Sequence, residues 1–170
     1  MRALAVMAGV CAVLAVAGCG KSTESGTPTA SAQTLTPDQL WDPCSLPDST
    51  VAATGVKADT KDTNPLGGKA TGWKACGWFS DTYSLGVFST THTMDEVRSR
   101  SSFHNLHDVD VTGRNAVSYQ ERSDSCGVDF PTSKGVVEVL INQSDGSPTA
   151  GDYCAIALHT ADSLNNLIPK

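Results

Sequence analysis

The chain has 170 residues, a formal charge of −6 at pH 7 and 39% hydrophobic residues. That length suits a single folded domain with short extensions. The acidic balance argues against nucleic acid, which needs a basic face, and against a polybasic membrane patch.

Arg2 is followed by an apolar stretch from Ala3 to Ala17 and then by Gly18-Cys19. A positive start, a short hydrophobic run and small residues at the cut describe a secretory signal over residues 1–18. The run is too short to span a bilayer, which takes roughly 20 apolar residues. Val16-Ala17-Gly18-Cys19 has the form of a bacterial lipobox. Cys19 is then the acylated first residue of the mature chain, on the extracytoplasmic face of the cell membrane. The alternative is an ordinary cleaved signal with a chance cysteine.

Residues 19–35 follow the cut with Ser, Thr, Pro and Gly and almost nothing that could form a core. They read as a flexible tether on the order of 20–25 Å in span. Residues 36–170 form the single folded domain.

Thr36-Pro37 with Gln39 carries an N-cap, a proline at the first helical position and a capping-box glutamine. Ser45-x-x-Asp48 predicts a second short helix ending at Gly55. Residues 57–73 lack periodicity and read as a long loop. Cys76–Phe79 and the alternating Tyr83, Leu85 and Val87 predict a hairpin turning at Ser80-Asp81. Thr93-x-x-Glu96 is a capping box and predicts a helix with Met94, Val97 and Ser101 on one face. His104 to Asp108 reads as a helix-to-strand transition. Three strands follow, around Val117–Tyr119, Cys126–Phe130 and Val137–Ile141. Thr149-x-x-Asp152 caps the last helix, whose stripe is Cys154, Ala157, Leu158, Ala161, Leu164 and Ile168. The expected fold is α+β: an antiparallel sheet of about five to six strands with helices packed on one face. Cys76-Gly77-Trp78 and Cys126-Gly127-Val128 each open a strand followed by a strand and a helix, a faint internal repetition.

Of the six cysteines, Cys11 leaves with the signal and Cys19 is the anchor. Cys44, Cys76, Cys126 and Cys154 remain, an even set in an exported domain, which favours disulfides. No C-x-x-C pair supports zinc or thioredoxin-like chemistry. Four cysteines allow three connectivities. The sequential one, Cys44–Cys76 and Cys126–Cys154, is preferred because each bond joins a helix to a nearby strand and gives two similar units.

Gly18-Cys19-Gly20-Lys21-Ser22 imitates the end of a phosphate-binding loop, but Ala15 stands at the first glycine position and the stretch straddles the cleavage site. His104, His107, Asp108 and Asp110 can be drawn as a metal site, but solvated loop residues are the preferred reading. No Gly-x-Ser-x-Gly elbow occurs. His92, Asp95 and His159 do not define a triad without geometry. Asp108, Asp110, Glu121 and Asp129 carry almost no pairing signal. No catalytic residue, metal site or cofactor is expected. Trp73 ends the 57–73 stretch and is the one candidate binding residue, a rigid anchor for a partner. The other reading buries it in the core.

Taken in order, the lipobox at Cys19, Pro43-Cys44-x-Leu46-Pro47, Cys76-x-Trp78, Gly113-Arg114-x-Ala116, Cys126, Cys154-x-x-Ala157-x-x-x-Ala161 and Leu167-Ile168-Pro169 make a set. This set resembles an actinobacterial family of envelope lipoproteins of unknown function, the group that includes mycobacterial LprB and LprC. The resemblance covers about residues 43–169. It implies export, an acyl anchor and two disulfides, and it implies no reaction. The expected role is a non-catalytic binding module that takes an envelope protein or cell-wall component. A cell-wall hydrolase, an enzyme subunit and a lipid carrier are the alternatives, and a deep cavity of several hundred Å³ would mark the carrier.

Overall fold

The computed structural model describes residues 35–170 apart from Lys69. The signal segment, Cys19 and the tether up to residue 34 lie outside the described residues. No helix among those described is long and apolar enough to cross a membrane.

Seven strands form one antiparallel sheet in the order β1-β2-β3-β7-β6-β5-β4. They are β1 Lys57–Asp62, β2 Trp73–Phe79, β3 Tyr83–Thr90, β4 His104–Val111, β5 Arg114–Gln120, β6 Ser125–Thr132 and β7 Gly135–Gln143. Three helices accompany them: α1 Asp48–Ala53, α2 Met94–Arg98 and α3 Tyr153–Leu164. The fold is therefore mostly sheet, with less helix than the sequence led us to expect.

The central pair is β3 and β7, whose apolar runs are buried on both faces. One face of the sheet carries Cys76, Trp78, Val87, Val128, Phe130, Val139 and Ile141, packed with Ala157, Ala161 and Leu164 of α3. This inner face is the hydrophobic core. Cys76 on β2 and Cys126 on β6 flank the central pair symmetrically, each one strand out. The faint repetition in the sequence corresponds to these two equivalent strands.

Cys44 and Cys76 are bonded, as are Cys126 and Cys154, with S–S distances of 2.22 and 2.11 Å. The first bond ties the N-terminal turns to β2. The second ties α3 to β6. The connectivity is the sequential one.

Several local expectations are corrected. Residues 57–73 are not one loop: β1 occupies Lys57–Asp62 and pairs with β2 through an irregular register. His104–Val111 is a full strand, not a helix-to-strand transition. These two edge strands raise the expected five or six to seven. The second helix starts at Asp48, not Ser45, because Pro47 disfavours helical geometry at Leu46, which is extended. Asp152, not Thr149, caps α3: its carboxylate accepts from Cys154 N and Ala155 N at 2.9 and 3.2 Å. Helices do not all share one face. Arg98 of α2 pairs with Asp108, whose register partner Val117 lies opposite Asp129 on the sheet face away from α3.

Both sheet edges are poor templates for strand addition. β1 is short, charged and bulged, and β4 has its own irregularity between His104 and His107, where Asn105 takes φ 51°. Bulges and charges of this kind discourage edge pairing.

Candidate binding site on the outer sheet face

The outer face is built by register. Residues directly opposed across antiparallel strands share a face. One row therefore runs Ala75, Phe88, Glu138, Asp129 and Val117 across β2, β3, β7, β6 and β5. The next row runs Gly77, Gly86, Leu140, Gly127 and Tyr119.

The glycines in that second row make room for rings. Tyr119 lies across β6 at Gly127, where a Cβ would stand 2.3 Å from Tyr119 Cζ. Phe88 lies over Gly86 in the same way, at 2.5 Å. Tyr119 thereby reaches β7 and donates its hydroxyl to Glu138 Oε1 at 2.6 Å. Phe103 stacks on the Tyr119 ring with centroids 3.7 Å apart.

Asp129 and Glu138 face each other across the β6–β7 ladder and are both buried. Asp129 Oδ1 has no hydrogen-bond partner. Burial pushes the Asp129 carboxyl well above the ordinary range, the Glu138 charge adds to the rise, and Arg100 opposes it. Burial also raises Glu138, against the Tyr119 hydrogen bond and Arg100. Burial and the two neighbouring acids raise the Tyr119 hydroxyl, which stays protonated and serves as a donor. Two carboxylates cannot both remain charged so close together in a dry site. Glu138 accepts from Tyr119, so Asp129, with no donor to stabilise a charge, is the one that keeps the proton. Arg100 is the cation whose charge opposes the rise in both acids.

Arg100 comes from the segment after α2. Its guanidinium sits 5.5 Å from the Trp73 ring centroid and 5.2 Å from that of Phe103. Among the described residues no carboxylate lies within ion-pair distance of it. Trp73 stands edge-on to Phe88, at 6.3 Å and 88°, and tilted against His92 at 5.6 Å.

Two segments cover this face and leave a gap between them. The β1–β2 loop lays Pro65 against Gly77. The segment after α2 lays Phe103 on Tyr119. Between them is a cavity of about 410 Å³, lined by Leu66, Ala70, Trp73, Phe88, Arg100, Glu138 and Leu140. A larger cleft of about 680 Å³ shares Leu66, Ala70 and Trp73 and extends toward Cys44. Both volumes fall within the roughly 300–1,000 Å³ of small-molecule pockets.

Trp73, picked out from the sequence, thus forms a wall of the cavity and is half-buried. Cys44, Cys76, Cys126 and Cys154 are structural and lie away from its lining. His104, His107, Asp108 and Asp110 belong to edge strand β4, and no group of three or more metal-ligating side chains occurs among the described residues. His92 stands beside Trp73, whereas His159 is on α3, which packs on the inner face. Asp129 meets Glu138, not Asp108, Asp110 or Glu121.

Glu138, Tyr119 and Arg100 were not singled out from the sequence. A signal existed for the acids: Glu138 interrupts the apolar run Val136–Ile141, and Asp129 sits between Val128 and Phe130. A charge inside a strand buried on both faces needs a partner or a role.

The model of a family described as "Protein of unknown function (DUF3558)" matches residues 14–166. No curated protein and no solved structure matches the chain.

Proposed function

The chain belongs to the DUF3558 family of proteins of unknown function, and from that premise we propose that it is a lipid-anchored binding module of the extracytoplasmic cell envelope. Cys19 carries the acyl anchor in this reading, and the outer-face cavity takes an envelope component. The finer likeness, to actinobacterial lipoproteins of the LprB and LprC group, belongs to the same proposal.

The observation that carries it is the cavity itself. A half-buried Trp73 and a buried Phe88 form walls, and Glu138 is a convergent polar group on the floor. Apolar walls with a few placed polar groups are the usual composition of a recognition site. Binding is favoured over hydrolysis because only Glu138 of the two acids lines the cavity. An acid–base pair must flank the bond it cleaves. By size the cavity meets the mark set for a lipid carrier, but binding of a polar component is favoured over carriage of a lipid tail because Arg100 and Glu138 both belong to the lining.

The test places a photo-crosslinking amino acid at Leu66, on the cavity rim, in the full-length protein in its native cells. A captured envelope component that is lost in the Trp73→Ala variant supports the reading. Capture no greater than from a crosslinker at the exposed Asp145, which is not part of the lining, sinks it. Intact mass of the membrane-extracted protein checks the anchor, which requires added acyl mass on a chain beginning at Cys19.

A further inference from the structure

The geometry points to a neutral sugar ring, part of an envelope glycan, as the group that fills the cavity between Trp73, Phe88, Arg100 and Glu138. This rests on the reading of the protein as a binding module and names its ligand class.

Charge decides among the classes. The floor holds Glu138 with Asp129 beside it, and the rim holds Arg100. The lining itself holds one acid, Glu138, and one base, Arg100, so it favours neither sign of charge. A ligand cation would meet the Arg100 guanidinium. A ligand anion would meet Glu138. A neutral ligand upsets neither, provided it supplies both donors and acceptors.

The unmet hydrogen-bonding capacity has the same two-sided character. Arg100 offers forked N–H donors that no carboxylate among the described residues engages. Glu138 keeps a second oxygen beyond the one that accepts from Tyr119. Vicinal hydroxyls donate and accept at once, so one sugar ring can serve both the guanidinium and the carboxylate.

The walls fit the other half of such a ligand. Aromatic faces are electron-rich and attract the polarised C–H groups of a pyranose ring. Trp73 and Phe88 are fixed at right angles by their own contact, so little side-chain freedom is lost when a ring settles against them. A volume of about 410 Å³ accommodates a small ring system.

The experiment uses the full acylated chain in micelles of a detergent without a sugar headgroup. Saturation-transfer NMR is recorded with D-glucose, D-galactose, D-mannose and D-arabinose at millimolar concentration. Methylammonium and acetate serve as charged probes. Transfer to the ring C–H protons of at least one sugar is expected, with neither charged probe binding. Trp73→Ala should abolish it. Arg100→Gln, at a half-exposed position, should weaken it about tenfold, the worth of a lost charge-assisted hydrogen bond. Near-UV circular dichroism confirms that each variant is folded. The inference is overturned if no sugar shows transfer, if a charged probe binds in place of the sugars, or if Arg100→Gln leaves the sugar affinity unchanged. Crosslinking at Leu66 without sugar binding would reject the ligand class and leave the binding-module reading standing. Failure of both would reject both.

Discussion

Tyr119 passes over Gly127 to donate to Glu138 at 2.6 Å, joining β5 to β7 across the intervening strand. The bond depends on a residue that takes no part in it. With a side chain at position 127 the ring could not lie flat on β6, and the buried Glu138 would lose its donor. Phe103 closes the stack from above, so the ring has no free side to which it can retreat.

Gly127→Ala should therefore destabilise the fold by about 1–3 kcal/mol, the cost of overpacking a tight site. Its φ is not in the left-handed region, so the cost comes from the clash and not from backbone strain. Urea unfolding measures it. An unchanged midpoint would show that the Tyr119 ring is free to shift.

The buried acids predict a particular pH dependence. Asp129 and Glu138 titrate above their unfolded values, so the folded chain holds protons that the unfolded chain has released. Stability is then greatest near or below about pH 4 as far as these groups are concerned, and it falls as pH rises through their raised values. Glu96 and Asp38 are shifted down and act in the opposite sense, but only at and below the ordinary carboxylate range. Asp129→Asn has no proton to lose. It should flatten the decline and raise stability near neutrality. Denaturant midpoints of the two proteins from about pH 4 to pH 8 bracket this window; parallel curves would contradict the assignment of the proton to Asp129.

How much of this was legible depends on whether the signal was local. The Thr93–Glu96 capping box reads directly, because both partners lie within one turn, and Thr93 N donates to Glu96 Oε2 at 2.7 Å. The Ser80-Asp81 hairpin reads for the same reason. Strand β1 does not, because Lys-Ala-Asp-Thr-Lys-Asp has no apolar alternation to show: it is an edge strand whose pairing comes from β2. In β4 the bulge at Asn105 shifts the alternation between His104 and His107. The site was least legible of all. Phe88, Glu138, Asp129 and Tyr119 come from four strands and meet only through register, which no window of sequence contains. Trp73 was visible because it ends the polar stretch 57–73, but its surroundings were not.

Replacing Cys126 and Cys154 together by alanine should cost about 3–4 kcal/mol by the loop-closure estimate, for a bond spanning 28 residues. The loss should fall on the inner face, where the bond holds α3 against β6. Hydrogen exchange should quicken in α3 before it does in β2 and β3, which the Cys44–Cys76 bond still secures. Non-reducing peptide mapping of the parent protein supplies the control. A Cys76–Cys126 peptide there would contradict the connectivity.

The last prediction concerns Arg114, which secures the C-terminus. Beyond α3 the chain turns so that Ile168 enters the core at 2% exposure. The carbonyls at that end have no helical partners, the usual condition of a helix C-terminus. Arg114 supplies donors to Asn165 O and Ile168 O at 3.2 Å and to Pro169 O at 2.7 Å. Its guanidinium also lies 4.9 Å from the Phe130 ring centroid. Arg114→Met keeps most of the apolar stem and removes every donor. It should lower stability by about 2 kcal/mol, as expected when hydrogen bonds from a charged group are lost. Arg114→Lys should recover only part of this, since a compact ammonium lacks the planar spread with which two guanidinium nitrogens reach the three carbonyls. Exchange at the amides of Leu167 and Ile168, which bond to Leu164 O, should accelerate in both variants while the central β3–β7 amides stay protected. Unchanged exchange at Leu167 and Ile168 in the methionine variant would mean that Ile168 burial alone holds the C-terminal turn.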